Sequence, residues 1–326
     1  MKICFLDNSN ISYTSEDIYS NKLRGGENTL INLSNEFSKL DHEVTIYNNS
    51  QKNCKIKNIS WINLNQINDN PHYDLAISNN DIRLFDKISS TKKIAISYSI
   101  QSIEKFIRKG QFISYLKHKP KIALLGKYHQ FNRNILLRIF GSFQISLAVD
   151  DIFLNSEIKK NVLNDQAIFT SYSDRNLDLL VNIWKNKIYP INKKRKLLIT
   201  PIKENYHNYN IFNRIFGDKK ILLNDILNSR ICLIPGHKAE LFCIAAEEAR
   251  ELCVPIITLG IGSLSERVLH NKTGFVAKNP NEFADYTTLL FNDDKLWFDI
   301  RKNLFNLRGS KIWKNIAIEF LKRSNE

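Results

Sequence analysis

Two glutamates in the C-terminal half have a spacing that could serve one ligand. Glu240 follows Pro235-Gly236-His237 and lies eight positions before Glu248 in an alanine-rich segment. Eight helical positions would separate the two carboxylates by ~12 Å along the axis. We expect Glu240 in a loop and Glu248 inside a helix that runs from Leu241 to Leu252. A ligand across the helix N-terminus could then meet one carboxylate at each end.

Carboxylates suit the hydroxyl groups of a sugar or a ribose. The alternative is a solvated helix with glutamates in its first turns, which the helix dipole also favours. A second candidate, Arg175, lies in Ser173-Asp174-Arg175-Asn176. It could pair with a phosphate, or it could be an exposed surface arginine. His237 is adjacent to the first candidate site, and its position is more typical of a loop residue than of a catalyst.

Two glycine loops could bring backbone close to a ligand. Gly260 and Gly262 follow an apolar strand, and Ser263 with Glu266 has capping-box spacing, which predicts that a helix begins there. Gly25-Gly26 precedes the first predicted helix. It lacks the spacing of a dinucleotide fingerprint and of a P-loop, so a nicotinamide cofactor is disfavoured.

The elements that position these residues follow an α/β pattern. A short apolar strand over 2–6, a glycine loop, a helix over 27–40 and a strand over 43–47 have the length of one βαβ unit. Strands alternating with helices predict parallel sheets that are covered on both faces. Further strands are predicted at 61–64, 74–78, 93–97, 167–170, 196–200, 231–235, 254–259 and 274–277.

Length and composition limit the class of protein. The chain has 326 residues, of which 43% are hydrophobic and 25% charged, so it is neither disordered nor collagen-like. We find no apolar run near the ~18 residues that span a bilayer, and we expect a cytoplasmic protein. The five cysteines show no C-x-x-C spacing. Buried free thiols are therefore expected, with no metal and no cofactor.

The net charge of +14 is concentrated in one segment. Residues 104–138 carry nine basic side chains and one acidic one, Glu104, whereas residues 1–103 are neutral overall. Such a field attracts phosphates of lipids, substrates or nucleic acids. We predict that Lys105, Arg108 and Lys109 contact an acceptor or an anionic membrane surface. The alternative is a solvated surface whose aromatic residues pack inward.

In this order, the segments resemble the family-4 retaining glycosyltransferases, a group 1 family of GT-B fold. That family has a Gly-Gly loop after its first strand, two glutamates separated by seven residues, a Val-Pro strand, a glycine loop with a glutamate, and a Thr-Gly-Phe-Val turn. The matching residues are Gly25-Gly26, Glu240, Glu248-Ala249, Val254-Pro255, Gly262-Ser263 with Glu266, and 273–276. Leu241-Phe242-Cys243 replaces the usual Gly-Phe-Gly, and Thr170 and Arg175-Asn176 replace the usual arginine and Lys-Gly.

The resemblance implies a role for each matching residue. Glu248 would bind the ribose hydroxyls of a nucleotide-sugar donor, and Glu240 would hold hydroxyls of its sugar. Arg175 would neutralise the departing diphosphate, so Glu240 and Arg175 are the candidate catalytic residues. No metal would be required. The remaining predicted donor-binding residues are Gly25, Gly26, Gly262, Ser263, Phe242 and Cys243.

The resemblance also implies two Rossmann-like, doubly wound domains that face a central cleft. Residues 1–150 would form the acceptor-side domain and residues 151–308 the donor-binding domain. Residues 309–326 would form a helix that packs back on the first domain.

The implied function is transfer of a sugar, with retention of configuration, to a saccharide or lipid-linked acceptor. Cell-surface polysaccharide or glycolipid synthesis at the inner face of the membrane is the expected setting. Three alternatives stay open: a nucleotide-sugar epimerase of GT-B fold, a non-catalytic sugar-nucleotide binder, and a basic nucleic-acid-binding protein. The last is disfavoured because the chain carries none of the usual recognition motifs.

Overall fold

The computed structural model describes residues 1–20, 22–67, 70–204, 206–215 and 217–326. Within them the chain divides into two compact units, each built around one sheet. The N-terminal unit consists of Met1–Leu147 with Ile312–Glu326, and the C-terminal unit of Ala148–Lys311. These boundaries fall beside, not on, the 150/151 and 308/309 boundaries that the sequence predicts.

The N-terminal unit contains an eight-stranded sheet among its described residues. Its strands are β1 (Lys2–Leu6), β2 (Glu43–Asn48), β3 (Cys54–Ile56), β4 (Ile59–Asn63), β5 (His72–Asn79), β6 (Ser89–Ile96), β7 (Lys121–Leu124) and β8 (Ser142–Gln144). The spatial order is β3-β4-β2-β1-β5-β6-β7-β8, and every pair is parallel except β3 with β4. The order reverses between β1 and β5, which is where doubly wound sheets bind ligands.

The first helix begins at the glycine pair Gly25-Gly26. The helices of residues 1–147 are α1 (Gly25–Lys39), α2 (Ile103–Arg108), α3 (Phe112–His118) and α4 (Lys127–Phe131). Leu30, Leu33 and Phe37 of α1 are buried at helical spacing against the sheet. The backbone N–H of Arg24 donates to the Glu27 carboxylate at 3.1 Å and closes the first turn. The predicted helix is confirmed, and it begins at Gly25.

The basic segment 104–138 spans several short elements. Phe106 and Tyr115 are buried with their ring centroids 5.3 Å apart, so these aromatic side chains pack inward. Ile107 and Ile113 are exposed, as are Phe131, Ile135, Leu136 and Ile139 at the end of the segment and just beyond it. No helix in the described part of the chain combines the length and the apolar character that crossing a membrane requires.

The C-terminal unit contains a six-stranded sheet in which all observed pairs are parallel. Its strands are β9 (Gln166–Ile168), β10 (Lys196–Ile199), β11 (Ile211–Asn213), β12 (Ile231–Leu233), β13 (Ile256–Thr258) and β14 (Gly274–Val276). Their spatial order is β11-β10-β9-β12-β13-β14. The predicted α/β class, with two parallel-sheet domains, is confirmed.

Both faces of this second sheet are apolar because successive residues of a strand point to opposite sides. Ala167, Ile231 and Leu233 pack into one hydrophobic cluster. The intervening Ile168 and Cys232 pack into another. The helices that contribute to these two clusters are α5 (Asp151–Leu154), α6 (Leu177–Ile183), α7 (Lys219–Leu227), α8 (Ile244–Glu251), α9 (Pro280–Asn292) and α10 (Asp294–Leu307).

The last helix, α11 (Trp313–Asn325), belongs to the N-terminal unit and packs on α1. Phe320 is fully buried, and its ring lies 5.9 Å from that of Phe37 and 5.4 Å from that of Phe143. Phe37 in turn stacks on Phe5 of β1 at 5.8 Å. The C-terminal segment is therefore part of the core of the N-terminal unit.

We expect Phe320→Ala to lower the free energy of unfolding by about 3–5 kcal/mol, because it leaves a cavity between α11, α1 and β8. Chemical denaturation followed by circular dichroism measures this. Ile318→Ala, at a half-exposed position of the same helix, is the matched control and should cost less than about 1 kcal/mol. Equal losses in the two variants would contradict the anchoring role of Phe320.

Candidate functional site

The predicted site residues of the C-terminal unit gather where β9, β12 and β13 end. Parallel strands all end at one edge, and the strand order reverses between β9 and β12. Asn176 follows the β9 end, and its side-chain amide donates to the Gly236 carbonyl after β12 at 2.5 Å. A parallel bridge joins Gly236 to Ile261, after β13. Three loops from distant parts of the sequence thus form one surface.

Arg175 and Glu240, the two predicted catalytic residues, meet at this edge. Arg175 Nε lies 3.7 Å from Glu240 Oε2, and Arg175 Nη1 lies 3.5 Å from His237 Nδ1. Burial raises the pKa of Glu240, and the Arg175 guanidinium and the Cys243 N–H partly oppose this. His237 Nδ1 accepts from the Ala239 N–H at 3.1 Å, so His237 shapes the loop that carries Glu240. The arrangement places a cation beside a half-buried acid.

Gly262 is required by packing against that same loop. Its φ is +74°, and a Cβ there would lie 2.3 Å from the His237 carbonyl oxygen and 2.9 Å from that of Glu240. The close approach that the sequence predicts is thus an approach to protein backbone. Replacing Gly262 with any other residue would displace the loop that holds Glu240.

A helix does begin near Ser263, but it is a short 3₁₀ helix and Ser263 does not cap it. Ser263 lies within this 3₁₀ helix, Gly262–Glu266, which is preceded by Ile261 without a side-chain cap. The Ser263 N–H donates to the Glu240 carbonyl at 2.9 Å. Its hydroxyl is buried and has no hydrogen-bond partner among the described residues. Loop packing, rather than capping, decides the position of Ser263.

Phe242 and Cys243 are buried, which limits how they could meet a donor. The Arg267 guanidinium lies 4.0 Å from the Phe242 ring centroid. Cys243 has φ +62°, and its N–H donates to Glu240 Oε1 at 3.2 Å. This turn delays α8 to Ile244, so the helix predicted from Leu241 begins three residues later. Burial raises the pKa of the Cys243 thiol well above its usual value, which makes it unreactive.

Glu248 lies in the second turn of α8 as a buried carboxylate. No hydrogen bond to its side chain is found among the described residues, although buried polar groups are almost always paired. Burial raises its pKa to about 8; Lys219 and Arg214 act in the opposite direction, while Asp150 reinforces the rise. Lys219 pairs with Asp150. Glu248 is thus a hydrogen-bond acceptor that the described protein groups do not satisfy.

The negative charge of the adjacent Glu247 is compensated by three cations. Its carboxylate lies 2.9 Å from Arg250, 3.3 Å from Arg267 and 2.7 Å from Lys311. Three cations around one buried acid make a structural ion network. Glu247 Oε2 also lacks a hydrogen-bond partner among the described residues, so the contrast with Glu248 is one of charge compensation.

Gly25 and Gly26 occupy the first turn of α1, near the β1–β5 reversal of the other sheet. A Cβ on Gly25 would meet no atom within 4 Å, whereas one on Gly26 would approach the Asn79 amide at 3.3 Å. Nothing in the local packing therefore requires Gly25. The first N–H groups of a helix have no partner within the helix, so they are available to an anion.

Residues 193–306 match the family model described as glycosyl transferases group 1. This match covers most of the sheet edge described above, including Glu240, Glu248 and Gly262. Residues 193–306, which make up most of the C-terminal unit, thus resemble the group 1 glycosyltransferases. The group 1 part of the resemblance seen in the sequence is confirmed over these residues. A search of curated proteins finds no sequence match.

Solved structures resemble the chain over its whole length at low sequence identity. Sucrose-phosphate synthase from Thermosynechococcus elongatus has a TM-score of 0.73 and 12% identity, with 100% of this chain and 98% of that chain covered. HepE from Anabaena, in complex with UDP and glucose, has a TM-score of 0.72 and 12% identity, with both chains fully covered. WaaG, a glycosyltransferase involved in lipopolysaccharide biosynthesis, has a TM-score of 0.68 and 10% identity, with 98% of this chain and 99% of that chain covered. These similarities show the GT-B fold.

Three features of the C-terminal unit could not be predicted from the sequence. They are the contact of His237 with Arg175, the Asn176–Gly236 hydrogen bond and the group of Asp150, Lys219 and Arg214 around Glu248. None of these residues lies in a motif with Glu248. Within the described ranges, we find no group of three His, Cys, Asp or Glu residues that could hold a metal ion.

Glu248→Gln should change how stability depends on pH. Because the pKa of Glu248 in the folded protein is about 8, above its usual value near 4.5, folding favours the protonated acid. Below pH 4.5 wild type and variant should have similar Tm values. As the pH rises through 8, the wild type should lose stability relative to the variant, by roughly a few kcal/mol at most.

Thermal unfolding from pH 5 to pH 9 measures this difference. Glu319→Gln, at an exposed position of α11, is the control variant. A difference between Glu248→Gln and wild type that stays constant with pH would contradict a raised pKa of the buried Glu248 carboxyl group.

Proposed function

We propose that this chain is a retaining glycosyltransferase that moves a sugar from a nucleoside-diphosphate sugar to an acceptor. The observation that carries the proposal is the buried Glu248 carboxylate, which lacks a hydrogen-bond partner among the described residues. The family match over 193–306 supports the reaction class. HepE, which shares the fold, binds UDP and glucose in one structure and UDP-glucose in another.

In the proposed reaction, Glu248 accepts hydrogen bonds from the two ribose hydroxyls of the donor. Glu240 accepts from hydroxyls of the sugar, and its loop is fixed by Gly262 and Cys243. Arg175 shifts from Glu240 towards the diphosphate and stabilises the charge that develops on the leaving group. Their 3.7 Å separation is longer than a hydrogen bond, and the other ion pair of Arg175, with Asp174 at 3.4 Å, is exposed to solvent, so this shift costs little.

The helix dipole adds a second source of positive potential. The N-terminus of α8 follows Cys243 directly, and its free N–H groups face the same edge of the sheet as Arg175. Since charge stabilisation comes from arginine and backbone dipoles, we propose that the reaction requires no metal.

The donor assignment gives different expectations for the two glutamates. Glu248→Gln replaces an acceptor that serves two hydroxyls, so nucleoside-diphosphate affinity should fall at least about tenfold. Glu240→Gln should leave that affinity almost unchanged and reduce turnover of the sugar donor. Calorimetric titration with the nucleotide that gives the largest thermal shift among UDP, GDP, ADP, dTDP and CMP, beside product analysis with its sugar conjugate, measures both.

Equal loss of diphosphate affinity in the two variants would contradict the division of roles. Glu319→Gln is again the matched control. Product analysis also separates transfer from the alternatives: an epimerase would yield an epimerised nucleotide sugar, and a non-catalytic binder would leave the donor unchanged.

We also propose that the enzyme contacts membranes through exposed apolar residues of the N-terminal unit. Phe131, Ile135 and Leu136 are 78%, 72% and 63% exposed, and they lie within six residues of one another beside Arg138. Apolar side chains next to basic ones suit an anionic bilayer surface. This position would bring a lipid-linked acceptor in cell-envelope synthesis to the enzyme at the inner face of the membrane.

Replacing Phe131, Ile135 and Leu136 together by Ser should weaken binding to vesicles that contain anionic lipid by at least about tenfold, because three insertable side chains are lost. Co-sedimentation at low salt measures this. The control is Ile191→Ser with Ile215→Ser, at exposed positions of the C-terminal unit. If wild type ignores anionic vesicles, the membrane proposal fails.

A further inference from the structure

A pocket opens at the carboxyl edge of the N-terminal sheet, beyond the ends of β5 and β6. Its volume is ≈ 340 Å³ including the open mouth. Apolar side chains form part of its wall, and its polar lining includes Ser97 and Ser99 after β6, Gln101, and the side chains of Lys105 and Lys109. Arg108, which the sequence grouped with these lysines, does not line the pocket.

The two lysines bring positive charge to this pocket without compensation. Among the described residues, neither ammonium group has an ion pair or a hydrogen bond. Burial lowers the pKa of Lys105, and repulsion from Lys109 and Arg108 lowers it further. The nearest acids do not offset this charge, because Asp81 is engaged by Arg83 at 2.7 Å and Glu104 is exposed outside the pocket. Like charges held together in this way favour an anion between them.

Gln101 supplies an independent indication of a ligand. It is 5% exposed and lines the same pocket, yet its Oε1 atom has no hydrogen-bond partner among the described residues. An orphaned buried amide oxygen is an acceptor that a ligand hydroxyl can satisfy. The pocket thus offers cations at one point and a hydroxyl acceptor at another.

The wall that carries these groups is fixed from behind. Buried His129 accepts from the Leu125 N–H at 3.2 Å through Nδ1 and donates to the Ser99 carbonyl at 3.1 Å through Nε2. Burial lowers the pKa of His129 to about 4, so it is neutral and adds no charge near Lys105. Ser97 Oγ also donates to the Ser99 carbonyl, at 2.9 Å. The 97–101 loop is therefore preformed in the absence of a ligand, which lowers the entropic cost of binding.

We propose that this pocket binds an anionic polyol, a sugar phosphate being the best match, with its phosphate between Lys105 and Lys109 and a hydroxyl on Gln101. A phosphate dianion matches two ammonium groups in charge, and the hydroxyl contact distinguishes a sugar phosphate from inorganic phosphate. That this molecule is the sugar acceptor rests on the proposed function; the binding site itself does not.

The test is calorimetric titration of the full chain with glucose 6-phosphate, inorganic phosphate and glucose, in the presence and absence of saturating UDP. We expect saturable binding of glucose 6-phosphate, weaker binding of inorganic phosphate and weakest binding of glucose, all persisting with UDP. Lys105→Gln with Lys109→Gln should lower glucose 6-phosphate affinity at least about tenfold, since two charge-assisted contacts are lost. Arg108→Gln removes a neighbouring charge on the same helix and should cost less than about threefold.

A second variant tests the hydroxyl contact. Gln101→Met keeps the size of the side chain, so it should weaken glucose 6-phosphate binding and leave inorganic phosphate binding unchanged. The proposal is overturned if glucose 6-phosphate does not bind, if the double lysine variant binds it as well as wild type, or if only anionic vesicles bind through these lysines. UDP binding in the same variants reports on the donor site, so failure of the pocket and failure of the proposed function are distinguishable.

Discussion

All observed strand pairs of the C-terminal sheet are parallel, and this constraint determines where chemistry can occur in that unit. Parallel pairing sends every chain crossover over a face of the sheet, so both faces must be apolar and covered by helices. Loops that are free to carry polar groups then remain only at the two edges. At the carboxyl edge, the reversal of strand order between β9 and β12 separates neighbouring loops and leaves room for a ligand. Arg175, Glu240 and Glu248 all depend on this geometry.

Charge compensation separates structural acids from available ones within the same helix. Glu247 and Glu248 are adjacent in α8 and both are buried, but only Glu247 is surrounded by three cations. Removing a carboxylate from water costs several kcal/mol unless it is paired and hydrogen-bonded. The protein meets this cost for Glu247 with Arg250, Arg267 and Lys311. For Glu248 the cost is avoided because the raised pKa keeps the carboxyl group protonated. A ligand whose hydroxyl donates to Glu248 can stabilise its ionised form.

The N-terminal sheet obeys the same constraint with different side chains. The loops after β5 and β6 carry Asn80, Ser97 and Gln101, α2 adds Lys105, and Lys109 follows at the C-cap of α2. Here the uncompensated charge is positive, whereas the C-terminal unit presents the buried carboxyl group of Glu248, which has no ion pair among the described residues. Each unit therefore presents one set of unsatisfied groups at its carboxyl edge, and the chemistry of each set selects a different part of a substrate: hydroxyls for Glu248, an anion for the lysines.

The sequence by itself determined the fold class and most of the strands. Apolar runs such as 2–6, 231–235 and 254–259 are long enough and uniform enough to specify buried parallel strands, and helical spacing over 27–40 specified α1. The order of the motifs also identified Glu240 and Glu248 together, because their spacing along one chain segment is a local property. Local sequence was less reliable where backbone packing overrides it: Cys243 turns the chain before α8, and Ser263 lies inside a 3₁₀ helix although its spacing with Glu266 predicts a cap.

Only the tertiary structure decided which charges are compensated. The partners of Glu247 lie three, 20 and 64 residues away, and the pocket of Gln101, Lys105 and Lys109 is completed by Asn80 and Ile82 from a different loop. Composition showed a basic segment over 104–138, but it could not distinguish Lys105 and Lys109, which line a pocket, from Arg108, which does not. Burial and pairing are properties of neighbours in space, and no spacing along the chain encodes them.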